Sequence, residues 1–230
     1  MKALIESKLV SKFDYMTLGQ VKKKYDAKGL PAPTKIFSTV DKPADGGASF
    51  RKAMKDKNSI AYKSIHAGNR VHKALETGEI NPKDELTRLS VEEFSKNILP
   101  EIDEVWGMES GVYHPAGYVG KFDAVGVLRG KDTLWDYKKV NKRKTPSQMK
   151  KYFMQSMAYT QAHNWMYESN IEQVAILQIY GKDADTIGSE ITVLNKDEMA
   201  NALNSFMDYV SRYKVINEHN IQQSKINSEN

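Results

Sequence analysis

YVGKFDAVGVLRGKDTLWDYKKV, residues 118–140, is the stretch whose reading decides the fold. It is rich in β-branched and aromatic residues, and a glycine and a lysine at 130–131 divide it into two runs, Tyr118 to Leu128 and Thr133 to Val140. Both runs read as strands. Gly130 at the first central position of a two-residue loop is the signature of a type II′ hairpin. Arg129 then pairs with Asp132, Asp123 falls opposite Lys138 and Val125 opposite Asp136. In that register Asp123, Asp136 and Lys138 share one face, and Trp135 and Tyr137 point to the other. Burying three charges costs roughly several kcal/mol each unless they pair or bind a cation. An Asp–Lys ion pair at a sheet edge is one reading of Asp136-Tyr137-Lys138. A second acid on the same face, with Glu109 one strand away, is more than an ion pair needs and points to a divalent cation held by oxygen ligands, Mg²⁺ or Mn²⁺.

Working outward, Val105 to Glu109 reads as a further strand. Before it, Ser90 and Glu93 form a capping-box pattern opening a helix that Pro100 stops. Ile65, Val71 and Leu75, with small residues between, predict a helix from Ile60 to Thr77, ended by Gly78. Residues 1–50 carry turn chemistry at Gly29-Leu30-Pro31 and Asp45-Gly46-Gly47, and read as an N-terminal extension with little regular structure. Downstream, Ser147 to Glu168 has helical periodicity, Val174 to Tyr180 and Ile187 to Leu194 alternate as two pairing strands, and a last helix runs from Lys196 to Asn217. Residues 218–230 are polar and read as a flexible tail. The pattern is that of one α/β domain over 1–230, a central mixed β-sheet flanked by helices.

With 230 residues, 40% hydrophobic and 27% charged, the composition is that of a globular chain. No cysteine is present, which excludes disulfide scaffolds, thiol nucleophiles, Cys-ligated zinc and iron–sulfur clusters. Charged residues interrupt every apolar run before the ~18 residues of a membrane span, and the first residues lack a secretory or transit pattern. The expectation is a cytoplasmic protein without membrane partners, from a bacterial or phage-infected cell. The net charge of +5 is unevenly spread: seven basic residues and no acidic one lie between Lys138 and Lys151. Such a run is either a solvated face or a polyanion contact. Beside paired carboxylates it suits cleavage of a phosphodiester.

From Leu30 to Tyr167 the residues resemble the PD-(D/E)XK nuclease superfamily in its RecB-like branch, most closely the mitochondrial genome maintenance exonuclease type. Gly68-Asn69-Arg70-Val71-His72-Lys73-Ala74-Leu75-Glu76 is similar to the branch's G-x-x-x-H-x-x-L-E helix pattern. Glu109 matches the acid before the hairpin, Gly120-Lys121-Phe122-Asp123 the G-x-x-D motif, and Asp136-Tyr137-Lys138 the D-x-K motif at the family's spacing. Gln155-Ser156-Met157-Ala158-Tyr159 resembles its Q-x-x-x-Y helix. The resemblance implies a restriction-endonuclease-like core in which Asp123, Asp136 and the Tyr137 carbonyl bind metal and Lys138 is catalytic. It implies further ligands from His72 and Glu109, and supporting roles for Gln155 and Tyr159. Arg70, Lys139, Lys142, Arg143, Lys144, Lys150 and Lys151 are then DNA-binding candidates. Two positions depart from the pattern: the P-S-V-T-like segment appears as Pro31-Ala32-Pro33-Thr34, and Lys139 stands where a threonine usually follows D-x-K. The activity implied is a Mg²⁺- or Mn²⁺-dependent DNA exonuclease acting on single strands or free ends in replication, recombination or repair, alongside proteins of those processes. Two alternatives stay open. A structure-specific or restriction-like endonuclease would use the same site. A DNA-binding module with a decayed site would lack one of Asp123, Asp136 and Lys138, and all three are present.

Overall fold

The hairpin forms and lies within the sheet, flanked by a strand on either side. The structure, a computed structural model, describes residues 5–228. Its strands are β1 (Ile102–His114), β2 (Tyr118–Leu128), β3 (Lys131–Val140), β4 (Gln173–Tyr180) and β5 (Gly188–Leu194), in the order β1-β2-β3-β4-β5. Only β3 and β4 run parallel; the other neighbours are antiparallel, so the sheet is mixed. The parallel pair needs a crossover, and the helix predicted after the basic run supplies it.

The turn differs from the sequence expectation. Leu128 pairs with Lys131, so the loop is Arg129-Gly130, and both residues have positive φ (52° and 71°), as a type I′ turn requires. Arg129 tolerates the left-handed conformation because its amide donates to Glu101 O at 3.0 Å and its guanidinium to Glu101 Oε2 at 2.6 Å. The register moves by two residues relative to the predicted one. A shift of two keeps side-chain parity. Trp135 and Tyr137 therefore still pack opposite to Leu134, in separate core clusters.

The helices are α1 (Leu18–Lys24), α2 (Pro33–Val40), α3 (Ala48–Lys55), α4 (Ile60–Thr77), α5 (Glu85–Asn97), α6 (Lys150–Tyr167) and α7 (Lys196–Ser228), with 3₁₀ turns at Leu99–Glu101 and Pro146–Met149. Helices α4 and α5 cover one face of the sheet through Val71, Leu75 and Phe94 against Trp135, Tyr137 and Leu177. Helices α6 and α7 cover the other, with Met154, Ala158, Phe206 and Val210 against Val125 and Leu134. Trp135 and Leu134 are fully buried. Each side chain of this kind stabilises the fold by about 1.5–3 kcal/mol relative to exposure.

Helix α4 begins and ends where its periodicity predicts, Ser59 capping it and Gly78 closing it at φ 74°. Helix α5 starts earlier than expected. Asp84 caps it by accepting from Thr87 N, and Ser90 sits buried inside, donating back to Leu86 O. The first strand is also longer than Val105–Glu109, and α7 continues past Asn217 to Ser228. Part of the expected tail is thus helical, and residues 229–230 lie outside the described residues.

Residues 5–50 hold more structure than their turn chemistry suggests, and residues 1–4 lie outside the described residues. Val105 N donates to Lys8 O at 2.8 Å, Val10 N to Val105 O at 2.9 Å and Gly111 N to Met16 O at 2.7 Å, so this segment lies along β1. A side chain at Gly111 would meet the backbone of Leu18, which explains the glycine. Helix α2 buries Ile36 and Phe37, the Phe37 ring lying edge-on to Phe206 of α7 at 5.9 Å. These short helices are held by tertiary packing and by the Thr17/Gln20 capping box of α1 rather than by length.

Candidate active site

The ladder of β2 is interrupted on both sides at one residue. On the β1 side the pairs run to Met108↔Ala124 and resume at Ser110↔Phe122, leaving Glu109 and Asp123 out, and Glu109 takes φ 48°. A non-glycine residue at that φ is strained, and such strain persists where the surroundings hold it. On the β3 side the ladder ends at Ala124↔Trp135. In an antiparallel ladder bonded pairs alternate, so the next backbone bond would join Phe122 and Tyr137. The Tyr137 N–H donates instead to Asp123 Oδ2 at 2.9 Å. The strands open there and the acids occupy the opening.

Around it the motifs meet. His72, from α4, places Nε2 3.0 Å from Asp123 Oδ2 and Nδ1 3.5 Å from Glu109 Oε1. Glu109 also pairs with Lys121. Lys138 Nζ lies 2.6 Å from Asp136 Oδ2, yet that oxygen is buried without a well-aligned hydrogen bond. Asp136 itself is 2% exposed. An oxygen left in this state fits a cation, and carboxylates with one imidazole and no thiolate are the donor set of a hard divalent ion. Donor atoms of His72, Glu76 and Glu109 also lie within 4.8 Å of one another, a second grouping that shares two residues with the first. Glu76 closes the G-x-x-x-H-x-x-L-E pattern, and its position four residues after His72, on one helical face, is the sequence signal for this grouping.

The electrostatics follow from burial and pairing. Burial, with the Asp123 charge beside it and Lys138 opposing, pushes the Asp136 carboxyl up to about 7. Burial also acts on Asp123, but the His72 hydrogen bond, the Lys138 charge and the Tyr137 N–H outweigh it and hold that carboxyl below its ordinary value. The Asp123 hydrogen bond raises His72 against its own desolvation. Burial raises Glu109 against its ion pair with Lys121. Lys138 is desolvated as well, and the two aspartates keep it protonated. Two neighbouring carboxyls pushed in opposite directions are a mark of functional sites.

A cleft of about 430 Å³ opens onto this group, lined by His72, Lys138, Ser64, Asn69, Asn141 and Tyr152. The Asn141 amide donates to Ser64 Oγ at 2.7 Å and ties the end of β3 to α4. Gln155 and Tyr159 come together on α6, the Gln155 amide donating to the Tyr159 hydroxyl at 3.2 Å. The Tyr159 ring packs where a side chain on Gly120 would stand, so the glycine of one motif makes room for the tyrosine of another.

The basic candidates divide. Lys139 and Lys144 line the cleft, Lys139 donating to Gly181 O at 2.5 Å and Lys144 to the Tyr152 hydroxyl at 2.9 Å. Burial lowers Lys139 to about 8. Arg70 pairs with Asp84 at the start of α5, Arg143 with Glu190, and Lys151 with Asp41 at 2.7 Å. Lys142 and Lys150 are exposed. One buried histidine carries no motif: His163 bonds the Tyr15 hydroxyl at 3.0 Å and Ser169 Oγ at 2.8 Å, and burial lowers it to about 4. Among the described residues no helix is long and apolar enough to cross a membrane.

No protein-family model matches the sequence, and no curated protein matches it. Solved structures do resemble it. A protein of Eubacterium rectale to which an exonuclease role is ascribed superposes with a TM-score of 0.52 at 12% identity, over 89% of this chain and 82% of that one. An alkaline exonuclease from Laribacter hongkongensis aligns at a TM-score of 0.41 and 12% identity, over 88% and 97% of the two chains. The first likeness is one of fold, and it agrees with the α/β architecture of a mixed sheet flanked by helices.

Proposed function

We propose that the chain is a divalent-metal-dependent DNA exonuclease of the PD-(D/E)XK superfamily, hydrolysing phosphodiester bonds of single strands or free ends, in the manner of the mitochondrial genome maintenance type. The observation that carries this reading is the buried Asp136 beside Asp123 and Lys138 at the point where the β2 ladder opens. A fold shared with a protein ascribed an exonuclease role supports it.

In this reading Asp123, Asp136 and the Tyr137 carbonyl hold Mg²⁺ or Mn²⁺, with His72 and Glu109 beside them. The chemistry such a cation supplies is Lewis acidity toward the phosphoryl oxygens. Lys138 faces the same phosphate and neutralises the negative charge that grows on it during attack by water. The His72 and Tyr137 N–H bonds fix the Asp123 carboxylate in its ionised form. Gln155 and Tyr159 set the wall of α6 against the strand that carries Asp123.

The test is end-labelled linear single-stranded DNA and a closed single-stranded circle, each with Mg²⁺, Mn²⁺ or EDTA, and with the Asp136→Ala protein alongside. Metal-dependent loss of the linear strand with the circle spared is expected. Rapid cutting of the circle would make the enzyme an endonuclease, and persistence of both substrates would end the nuclease reading.

A further inference from the structure

A second groove, of about 840 Å³, lies between the start of α6 and the first half of α7. Its volume is that of a ligand-sized cleft, about 300–1,000 Å³. Lys144, Lys150, Lys151, Tyr152, Asn204 and Ser205 are among its walls. Lys144 and Tyr152 also line the cleft over Lys138 and His72, so the two spaces meet at that pair. Tyr152 stands at the junction. Its ring has Lys138 Nζ 5.1 Å from the centroid and Lys144 Nζ at 4.7 Å, and its hydroxyl accepts from Lys144.

The acids near the groove have cationic partners. Asp41 takes Lys151 and the Tyr209 hydroxyl, each at 2.7 Å, and Asp208 lies 3.7 Å from Arg212 on its own helix. Lys144 and Lys150 form no ion pair among the described residues, so the groove keeps a positive excess and hydrogen-bonding walls from Asn204 and Ser205. A polyanion that also carries flat bases fits walls that combine lysine charge with the side chains of Tyr152, Met154 and Tyr209. The unpaired lysines and a partly exposed ring at the junction favour an unpaired strand, whose bases can stack on an aromatic side chain.

We propose that this groove seats the single-stranded DNA segment flanking the scissile phosphate, and that Tyr152 is the side chain on which a base stacks where the strand turns from groove into cleft. The inference rests on the nuclease reading for its orientation toward the cleft, and its test is independent of cleavage. Fluorescent oligothymidylates, from dinucleotide to dodecamer, are titrated in EDTA by anisotropy against the full chain and its Ser205→Trp, Tyr152→Ala, Tyr152→Phe and Lys150→Ala variants.

For the wild type, affinity should climb with length until the groove is filled and then level off. Ser205→Trp, which fills the groove, should flatten that climb. Tyr152→Ala should weaken the longer oligomers about tenfold, the size of one base–aromatic stack, and Tyr152→Phe should restore most of it. Lys150→Ala should lower the slope of log affinity against log salt by about 0.7, one phosphate contact. Asn204→Trp, with circular dichroism on every variant, guards against a misfolded Ser205→Trp. A length dependence that survives both tryptophans, or no binding of any oligomer, would overturn the inference. Cleavage with groove variants of normal length dependence would overturn it and leave the nuclease reading standing. Groove-dependent binding without cleavage would do the reverse.

Discussion

The Tyr159 ring lies against the α-carbon of Gly120, in the space a side chain would fill. Two motifs more than thirty residues apart are thereby one contact, and that contact fixes the distance between α6 and the strand carrying Asp123. Gly120→Ala should drive a methyl group into the ring. Overpacking of this kind costs about 1–3 kcal/mol. A lower urea midpoint with unchanged m is expected, together with reduced cleavage. Adding Tyr159→Ala should recover part of the loss, with a coupling of about 1 kcal/mol in the double-mutant cycle. Strict additivity of the two substitutions would refute the contact.

Lys138→Met should cut turnover by about 10²–10³, the size of removing one preorganised electrostatic group, with oligonucleotide affinity little changed. His72→Gln should act differently. It should raise the metal concentration for half-maximal activity by about 10–100-fold, because the imidazole orients Asp123 rather than meeting the phosphate. Titrating Mg²⁺ against both variants separates the two roles; identical metal dependence would place His72 outside the site.

Above pH 6.5, where the buried His163 no longer adds stability as pH rises, the stability of the metal-free protein should fall toward pH 8. Asp136 has a folded value near 7 against 3.8 for the free group, so its protonated form is the one the fold favours. That contribution is present below pH 4 and is lost as pH rises through about 7. His72, raised above 6.5 by Asp123, loses its contribution in the same direction, as pH passes its folded value. Asp123 is lowered from 3.8, so its contribution is complete throughout this window and is lost only in more acid solution. Melting temperatures in EDTA read the slope, at about 2–4 °C per kcal/mol for a chain of this size. Asp136→Asn should flatten it, and Mg²⁺ should stabilise most at the alkaline end. A melting temperature that rises from pH 6.5 to 8 in EDTA would contradict the buried protonated Asp136.

Lys142 is exposed, whereas Arg143 is held by both oxygens of Glu190. Lys142→Ala should therefore reduce the salt slope of single-strand binding by about 0.7, and Arg143→Ala by less. Slopes unchanged from the wild type's in both variants would show that neither meets a phosphate.

The hairpin, the crossover helix and α4 were legible because their periods are long and their ends marked, as at Ser59 and Gly78. The carboxylates and Lys138 were legible because hairpin parity survives a two-residue error. The turn itself was not, since local preference keeps arginine out of the left-handed region and only Glu101, far along the chain, offsets that. Ser90 carried the capping pattern while Asp84 made the cap. The first fifty residues were opaque because α1 and α2 have few buried side chains and depend on partners such as Phe206. His163 gave no signal for the same reason: its partner Tyr15 is 148 residues away.

The segment from Lys8 to Met16 has a consequence beyond the site. Strand β1 is thirteen residues long and lies at the border of the sheet, where free amides and carbonyls form a template for another chain. The Lys8 and Met16 carbonyls, accepting from β1, and the Val10 amide, donating to it, occupy part of that border. The N-terminal arm therefore covers part of an edge that would otherwise be open to pairing with another chain. A chain beginning at Thr17 should aggregate on concentration by light scattering while the full chain stays monodisperse.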